Sequence, residues 1–159
     1  MSGRLVPHNR LTLLRSGKEY FPALEAAIRE ARQAIFLETY IYEDDATGRR
    51  IARALCAAAS RGVAVHLIVD GFGSKDMPER LSQSMLDAGV RLLAYRPKIS
   101  PWTLRRHRLR RMHRKIAVID ARVAFVGGIN IIDDMHTPRQ VPPRYDYAVR
   151  IEGPLLRLL

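Results

Sequence analysis

Apolar and polar positions alternate along this chain in two rhythms, and the places where one gives way to the other predict most of its elements. Arg10 to Arg15 (RLTLLR) reads as a short strand. Ser16-Gly17 interrupts it, and Lys18 to Gln33 then sets Phe21, Leu24, Ala27, Ile28 and Ala31 on one helix face. Pro22 is tolerated there because it falls in the first turn. Ala34 to Tyr42 (AIFLETYIY) is aromatic and β-branched, which predicts a strand. Asp44-Asp45-Ala46-Thr47 supplies capping side chains for a second helix from Gly48 to Ser60. Arg61-Gly62 ends it, and Val63 to Asp70 (VAVHLIVD) is apolar enough to predict a strand buried on both faces. Pro78 to Ala88 predicts a third helix, stopped by Gly89, and Val90 to Ala94 a further strand.

Strands alternating with helices predict an α/β fold whose mixed sheet is mostly parallel and flanked by helices. Tyr95 to Arg111 breaks the rhythm with Pro97, Pro101 and a run of arginines, and reads as a loop. Two strands follow, Met112 to Ile119 and Val123 to Val126, joined by a tight turn at Asp120-Ala121-Arg122. Ile129 to Pro143 reads as an irregular loop and Tyr145 to Ile151 as one more strand. The closing GPLLRLL resembles the beginning of a helix.

Composition narrows the setting. A chain of 159 residues suits one domain with a sizeable core. It holds no apolar run of the roughly 18 residues that a membrane-spanning helix needs. MSGRLVPHNR lacks the apolar segment of a signal peptide, so a cytoplasmic setting is expected. The single cysteine, Cys56 in ARALCAAA, excludes an internal disulfide and reads as a small core residue. The formal net charge of +11 predicts attraction to polyanions, either nucleic acid or an anionic membrane surface.

The chemistry concentrates in Met112 to Asn130, MHRKIAVIDARVAFVGGIN. If the segment is a strand, His113 and Lys115 share a face and Arg114 takes the other. A neutral imidazole, with its unperturbed pKa of about 6.5, is a competent nucleophile toward phosphorus at neutral pH. An adjacent ammonium offsets charge on the non-bridging oxygens. Asn130 could add a hydrogen bond to those oxygens, and Gly127 and Gly128 would let the backbone pass close to a ligand. Asp120 sits at the turn, where its natural work is to fix the turn or pair with a cation. A His-x-Lys pair alone is cheap in so basic a chain; the full spacing through Gly127-Gly128-x-Asn130 is not.

That spacing resembles the HxKxxxxD signature of the phospholipase D superfamily, with its trailing glycines and asparagine. FLETYIYEDDATGRRIARALCAAASRGVAVHLIVDGFGS, together with Asp146 in RYDYAVRIEGP, resembles the N-terminal half of bacterial cardiolipin synthases. The resemblance implies a phosphatidyltransferase that makes cardiolipin from phosphatidylglycerol through a phosphohistidine intermediate, with no metal or organic cofactor. By the same resemblance His113 is the nucleophile, Lys115 and Asn130 bind phosphate, Asp120 supports the motif, and Glu38 orients a histidine.

The family uses two HxK motifs, and this chain has one: His8, His66, His107 and His136 lack a lysine two residues on. The chain is therefore expected to be the first of two lobes, or to complete its site in a homodimer as the small nucleases of the superfamily do. LRRHRLRRMHRK, Leu104 to Lys115, packs seven Lys/Arg into twelve residues. With Trp102 upstream, Arg105, Arg106, Arg108, Arg110 and Arg111 suit a membrane contact, each basic residue contributing about 1 kcal/mol near an anionic leaflet. Nucleic acid would use the same charges, and a solvated loop needs no partner at all. The resulting expectation is a peripheral enzyme on the cytoplasmic face of the bacterial inner membrane, binding phosphatidylglycerol. A homodimeric phosphodiesterase or nuclease, and an inactive basic binding module, stand as alternatives. The native polypeptide is expected to carry a second HxK motif, and its intact mass should exceed 18.1 kDa accordingly; a native mass equal to that of this chain would instead require a dimeric site.

Overall fold

A two-residue turn decides much of the architecture. In the computed structural model, which describes residues 6–97, 111–137 and 141–158, Arg122 N donates to the carbonyl of Ile119 at 3.0 Å. Asp120 and Ala121, between them, both adopt left-handed backbone, with φ of 53° and 48°. This is the turn geometry whose twist matches a hairpin, so the strands it joins run antiparallel. The described elements are β1 (Arg10–Arg15), α1 (Ser16–Glu30), β2 (Ala34–Thr39), α2 (Ala46–Ser60), β3 (Ala64–Asp70) and α3 (Glu79–Asp87). After them come β4 (Arg91–Tyr95), β5 (Ile116–Ile119), β6 (Val123–Gly127) and β7 (Tyr147–Glu152), closed by a 3-10 turn at Pro154–Leu158.

The strands form one seven-stranded sheet in the order β1-β7-β6-β5-β2-β3-β4. The α/β class is as expected, but the sheet is not mostly parallel. Only β2–β3 and β3–β4 pair in parallel; β1–β7, β7–β6, β6–β5 and β5–β2 are antiparallel. Element alternation reveals βαβ units only where helices join successive strands, and α2 and α3 do so for β2, β3 and β4. β5 then inserts beside β2 instead of extending past β4, and its hairpin carries the sheet on in antiparallel fashion. Three strands separate β1 from β2 in the sheet, although α1 alone connects them along the chain.

Three helices cover one face of the sheet. The predicted face of α1 is the buried one: Phe21, Leu24, Ala27 and Ile28 meet Ile35 and Leu37 of β2 and Ile51, Leu55 and Ala58 of α2 in one core cluster. Leu24, Ile28, Ile51 and Leu55 are fully buried, each contributing about 1.5–3 kcal/mol. Glu25 ties α1 to α2 by pairing with Arg50, and to its own helix through Arg29 at 2.7 Å. Asp45 caps α2 as expected, its Oδ1 accepting from Gly48 N at 2.8 Å.

Helix α1 begins at Ser16 rather than Lys18, because Ser16 takes a positive φ of 54° and turns β1 straight into the helix. Pro22 therefore lies inside the helix and not in its first turn. Packing of the Phe21–Leu24–Ile28 face outweighs the hydrogen bond that proline removes. Strand β3 is not buried on both faces either: Val65, Leu67 and Val69 are buried, while His66 and Ile68 are only half-buried. The opposite face of the sheet exposes Leu11, Leu13, Phe36, Leu93 and Val126. The expected basic loop lies outside the described residues from 98 to 110, and with it Trp102, Arg105, Arg106, Arg108 and Arg110.

Asp120 locks the hairpin to the rest of the sheet. Its Oδ2 accepts from Arg32 N at 2.8 Å, and its Oδ1 from Gln33 N and Ala34 N at 2.8 and 2.9 Å. Partial burial works to raise its pKa, yet these three N–H donors hold the carboxyl below its ordinary value. A carboxylate with a depressed folded pKa stabilises the fold above the unfolded value of about 3.9 and loses that contribution as pH falls through the folded one. Asp120→Asn is expected to cost about 1 kcal/mol at neutral pH, since two of the bonds face water, and to flatten the loss of stability below about pH 4. Urea midpoints from pH 2 to 7 test this; parallel curves for the two proteins would refute it.

Candidate active site

The carboxyl ends of β1, β2, β3 and β6 and the amino ends of β5 and β7 all come out at one edge of the sheet, because neighbours that run antiparallel to β2 enter where it leaves. Ligands of open α/β sheets bind at such carboxyl ends. His113 and Lys115 do not lie in β5, which starts one residue later at Ile116. They occupy the extended approach to it, still held to the sheet because Gly127 N donates to Lys115 O at 3.2 Å. The expected convergence of the two side chains is nevertheless present. Lys115 Nζ stands 3.1 Å from His113 Nε2 and 3.2 Å from the His113 carbonyl. An ammonium can only donate, so Nε2 is the imidazole nitrogen that offers its lone pair.

Tyr40, just past β2, supports both groups. Its ring lies 4.8 Å from the His113 imidazole and 5.3 Å from Lys115 Nζ. Sequence reasoning passed over it; the aromatic pair Tyr40 and Tyr42 at the end of a strand was the available signal. Lys115 is buried while His113 is exposed. Desolvation lowers the Lys115 pKa and nearby Asp146 raises it, with the net shift downward. The pair thus joins a solvent-accessible imidazole to an ammonium held in place beneath it.

Asp70 is the second residue that sequence reasoning missed. Its carboxylate, fully buried at the end of β3, accepts from Phe72 N at 2.9 Å, Gly73 N at 3.1 Å and Met112 N at 2.8 Å. The last bond anchors the chain immediately before His113. The Gly71–Ser74 turn also supports Tyr40, since Ser74 Oγ donates to the Tyr40 carbonyl at 3.1 Å and accepts from Tyr42 N at 2.9 Å.

Asn130 uses its Oδ1 to accept from Ile41 N at 3.0 Å, which leaves the amide nitrogen as the group it can offer a ligand. The loop beyond it is tied to α2 by Asp133 N donating to Asp45 Oδ2 at 2.6 Å, and to α1 by Asp134 Oδ2 accepting from Gly17 N at 2.6 Å. Those two carboxylates accept from backbone donors. Gly127 and Gly128 do permit close approach, but of protein: a Cβ on Gly127 would strike the Tyr147 carbonyl and one on Gly128 the Asp146 carboxylate. Asp120 is at the far end of β5 from His113, so it positions the strand and does not touch the reacting groups. Glu38 pairs with Arg114 at 2.8 Å rather than orienting a histidine. Arg111 rests its guanidinium 4.9 Å above the Phe72 ring.

Comparison with known proteins follows the same lines. A family profile described as "Cardiolipin synthase, PLD-like domain" matches residues 24–152. Cardiolipin synthase B of Escherichia coli (strain K12) is 42% identical over 148 residues, covering 93% of this chain and 36% of that protein. Cardiolipin synthase A of Pseudomonas fluorescens (strain Pf-5) is 36% identical over 153 residues, covering 96% of this chain and 32% of the relative. The chain therefore spans about a third of the length of the curated relatives it matches. Among solved structures, a phospholipase D family member, Nuc from Salmonella typhimurium, superposes with a TM-score of 0.66 at 20% identity, covering 95% of this chain and 89% of that one.

Asp146 is the anion that favours the charged form of Lys115. Its replacement by asparagine should move the Lys115 pKa further down. A site that needs the ammonium then loses activity at lower pH on the alkaline side. Titration of Lys115 by NMR in wild type and Asp146→Asn tests this, and an unchanged or raised pKa would overturn the pairing.

Proposed function

The chain belongs to the cardiolipin synthase, PLD-like domain family, and from that premise we propose that it is a phosphatidyl-transferring lobe that supplies the nucleophile and half of the phosphate site. The observation that carries the reading is the contact of Lys115 Nζ with His113 Nε2 above Tyr40. When a phosphodiester enters, the ammonium can shift to its non-bridging oxygens and release the Nε2 lone pair for attack. Asn130 and Lys115 stabilise the oxygens as charge builds on them. Nε2 bonds to phosphorus as the bond to the glycerol headgroup oxygen breaks, giving a phosphatidyl-histidine.

The departing alkoxide needs a proton, and His113 cannot provide it while bonded to phosphorus. A second imidazole must face this site. Its source in this reading is a second lobe of the same polypeptide, which accords with the relatives being about three times as long. The incoming alcohol gives its proton to that imidazole while its oxygen displaces Nε2, and His113 is restored. With phosphatidylglycerol as both donor and acceptor the products are cardiolipin and glycerol. The reading needs no metal and places the lobe peripherally at the cytoplasmic membrane surface, where its donor lies. No helix among the described residues is long and apolar enough to cross a membrane.

Native-length protein incubated with phosphatidylglycerol vesicles should form cardiolipin and glycerol in equal amounts, and His113→Ala should lower the rate on the order of a thousandfold or more. Acid-labile lipid phosphate trapped on His113 would accompany turnover. Full activity in His113→Ala would sink the assignment. Cleavage of DNA in place of lipid, by this chain as a dimer, would replace it with the phosphodiesterase reading.

A further inference from the structure

The segment that presents His113 is held by the sheet from one side only. The ladder of β5 begins at Ile116, and the last sheet bond on the approach to it is Gly127 N donating to the Lys115 carbonyl. On the amino-terminal side the backbone is fixed instead by the turn that follows β3. Met112 N donates to Asp70 Oδ2 at 2.8 Å, and the Arg111 guanidinium lies 4.9 Å from the centre of the Phe72 ring. Arg111 and Met112 therefore dock on the turn from Asp70 to Ser74, and His113 is the next residue along.

The same turn carries the aromatic wall of the imidazole. Ser74 Oγ donates to the Tyr40 carbonyl at 3.1 Å and accepts from Tyr42 N at 2.9 Å. Gly73 lies so close to Tyr40 that a Cβ there would strike the Tyr40 carbonyl. The Tyr40 ring in turn stands 4.8 Å from the His113 imidazole. Asp70 Oδ1 folds the turn, accepting from Phe72 N at 2.9 Å and from Gly73 N at 3.1 Å. One fully buried carboxyl group thus joins the chain that bears His113 to the turn that seats its aromatic neighbour.

We propose that Asp70 is a positioning residue for the reaction, setting the His113 imidazole against the Tyr40 ring and aligning Nε2 with the incoming phosphodiester. Its kinetic consequence rests on the phosphatidyltransferase reading above. Asp70 reaches no reacting atom; it acts through Met112 and through Ser74. Its two oxygens divide the work, and asparagine keeps only one of them, because the amide nitrogen donates and cannot accept. The remaining oxygen stays with the two turn donors, and the NH2 group then faces Met112 N, donor against donor. Asp70→Asn therefore releases the His113 side while leaving the turn folded. A misplacement of about 1 Å at a reacting group can cost up to about a hundredfold in rate. Lys115 and Asn130, which bind the phosphate in that reading, are held by other contacts, so binding changes less.

In the native-length protein acting on phosphatidylglycerol vesicles, Asp70→Asn should lower kcat about tenfold to a hundredfold, with KM within about twofold of wild type. Glu25→Gln, which weakens the pairing of α1 with Arg50, serves as the control: it should lower the melting temperature and leave kcat unchanged. Combined with Tyr40→Leu, the Asp70→Asn loss should fall well short of the product of the two single losses, since both act on one imidazole. In histidine-labelled protein the NMR signal of the His113 ring should move in Asp70→Asn and stay in place in Glu25→Gln. Should Asp70→Asn not fold, Ser74→Ala carries the same expectations at about threefold to tenfold in kcat. An unchanged kcat in the folded variant, an unmoved His113 signal, or losses that multiply in full would overturn the positioning role and leave the transferase reading intact. A wild-type protein that turns over no phosphatidylglycerol removes the transferase reading, and the His113 signal alone then decides the positioning.

Discussion

The antiparallel seating of β5 against β2 is the constraint on which the rest depends. It brings the chain segment carrying His113 and Lys115 to the end of the sheet where β2 delivers Tyr40. Two buried or part-buried carboxylates hold that seating from opposite ends. Asp120 grips the backbone of residues 32–34 beneath the hairpin, and Asp70 grips Met112 above it. Neither touches the reacting groups. Each gathers several backbone N–H donors on one carboxyl group and so fixes a loop to the sheet.

Within that frame the site balances one buried cation. Lys115 is desolvated by its surroundings and sustained by Asp146, the Tyr40 ring and the His113 imidazole. In the proposed reading a phosphate would lower the cost of keeping an ammonium there, because it would supply the negative charge that the protein only partly provides. Gly127 and Gly128 make it possible indirectly, by letting β7 and the Asp146 carboxylate press against β6.

The sheet is asymmetric in a way that follows from the same topology. All three helices follow strands on the β1-to-β4 part of the chain and pack on one face. Among the described residues the other face carries Leu11, Leu13, Phe36, Leu93 and Val126 outward.

Much of this was legible in the residues. The period of apolar positions marked all three helices and all seven strands, and the spacing from His113 to Asn130 marked the chemistry, because helix faces, capping residues and turn residues are local properties. Local rules could not say which strands are neighbours. They led to a mostly parallel sheet, since nothing in a hydrophobic pattern tells that β5 will insert beside β2. The roles of Glu38, Gly127 and Gly128 shifted for the same reason: each meets a partner distant in sequence. Tyr40 and Asp70 stayed hidden because a tyrosine and an aspartate at strand ends are ordinary in isolation. The sequence by itself thus determined the elements, the family and the His113–Lys115 pair as the candidate site. Only the tertiary structure decided which groups surround them, because pairing and long-range hydrogen bonds depend on where the whole chain places its ends.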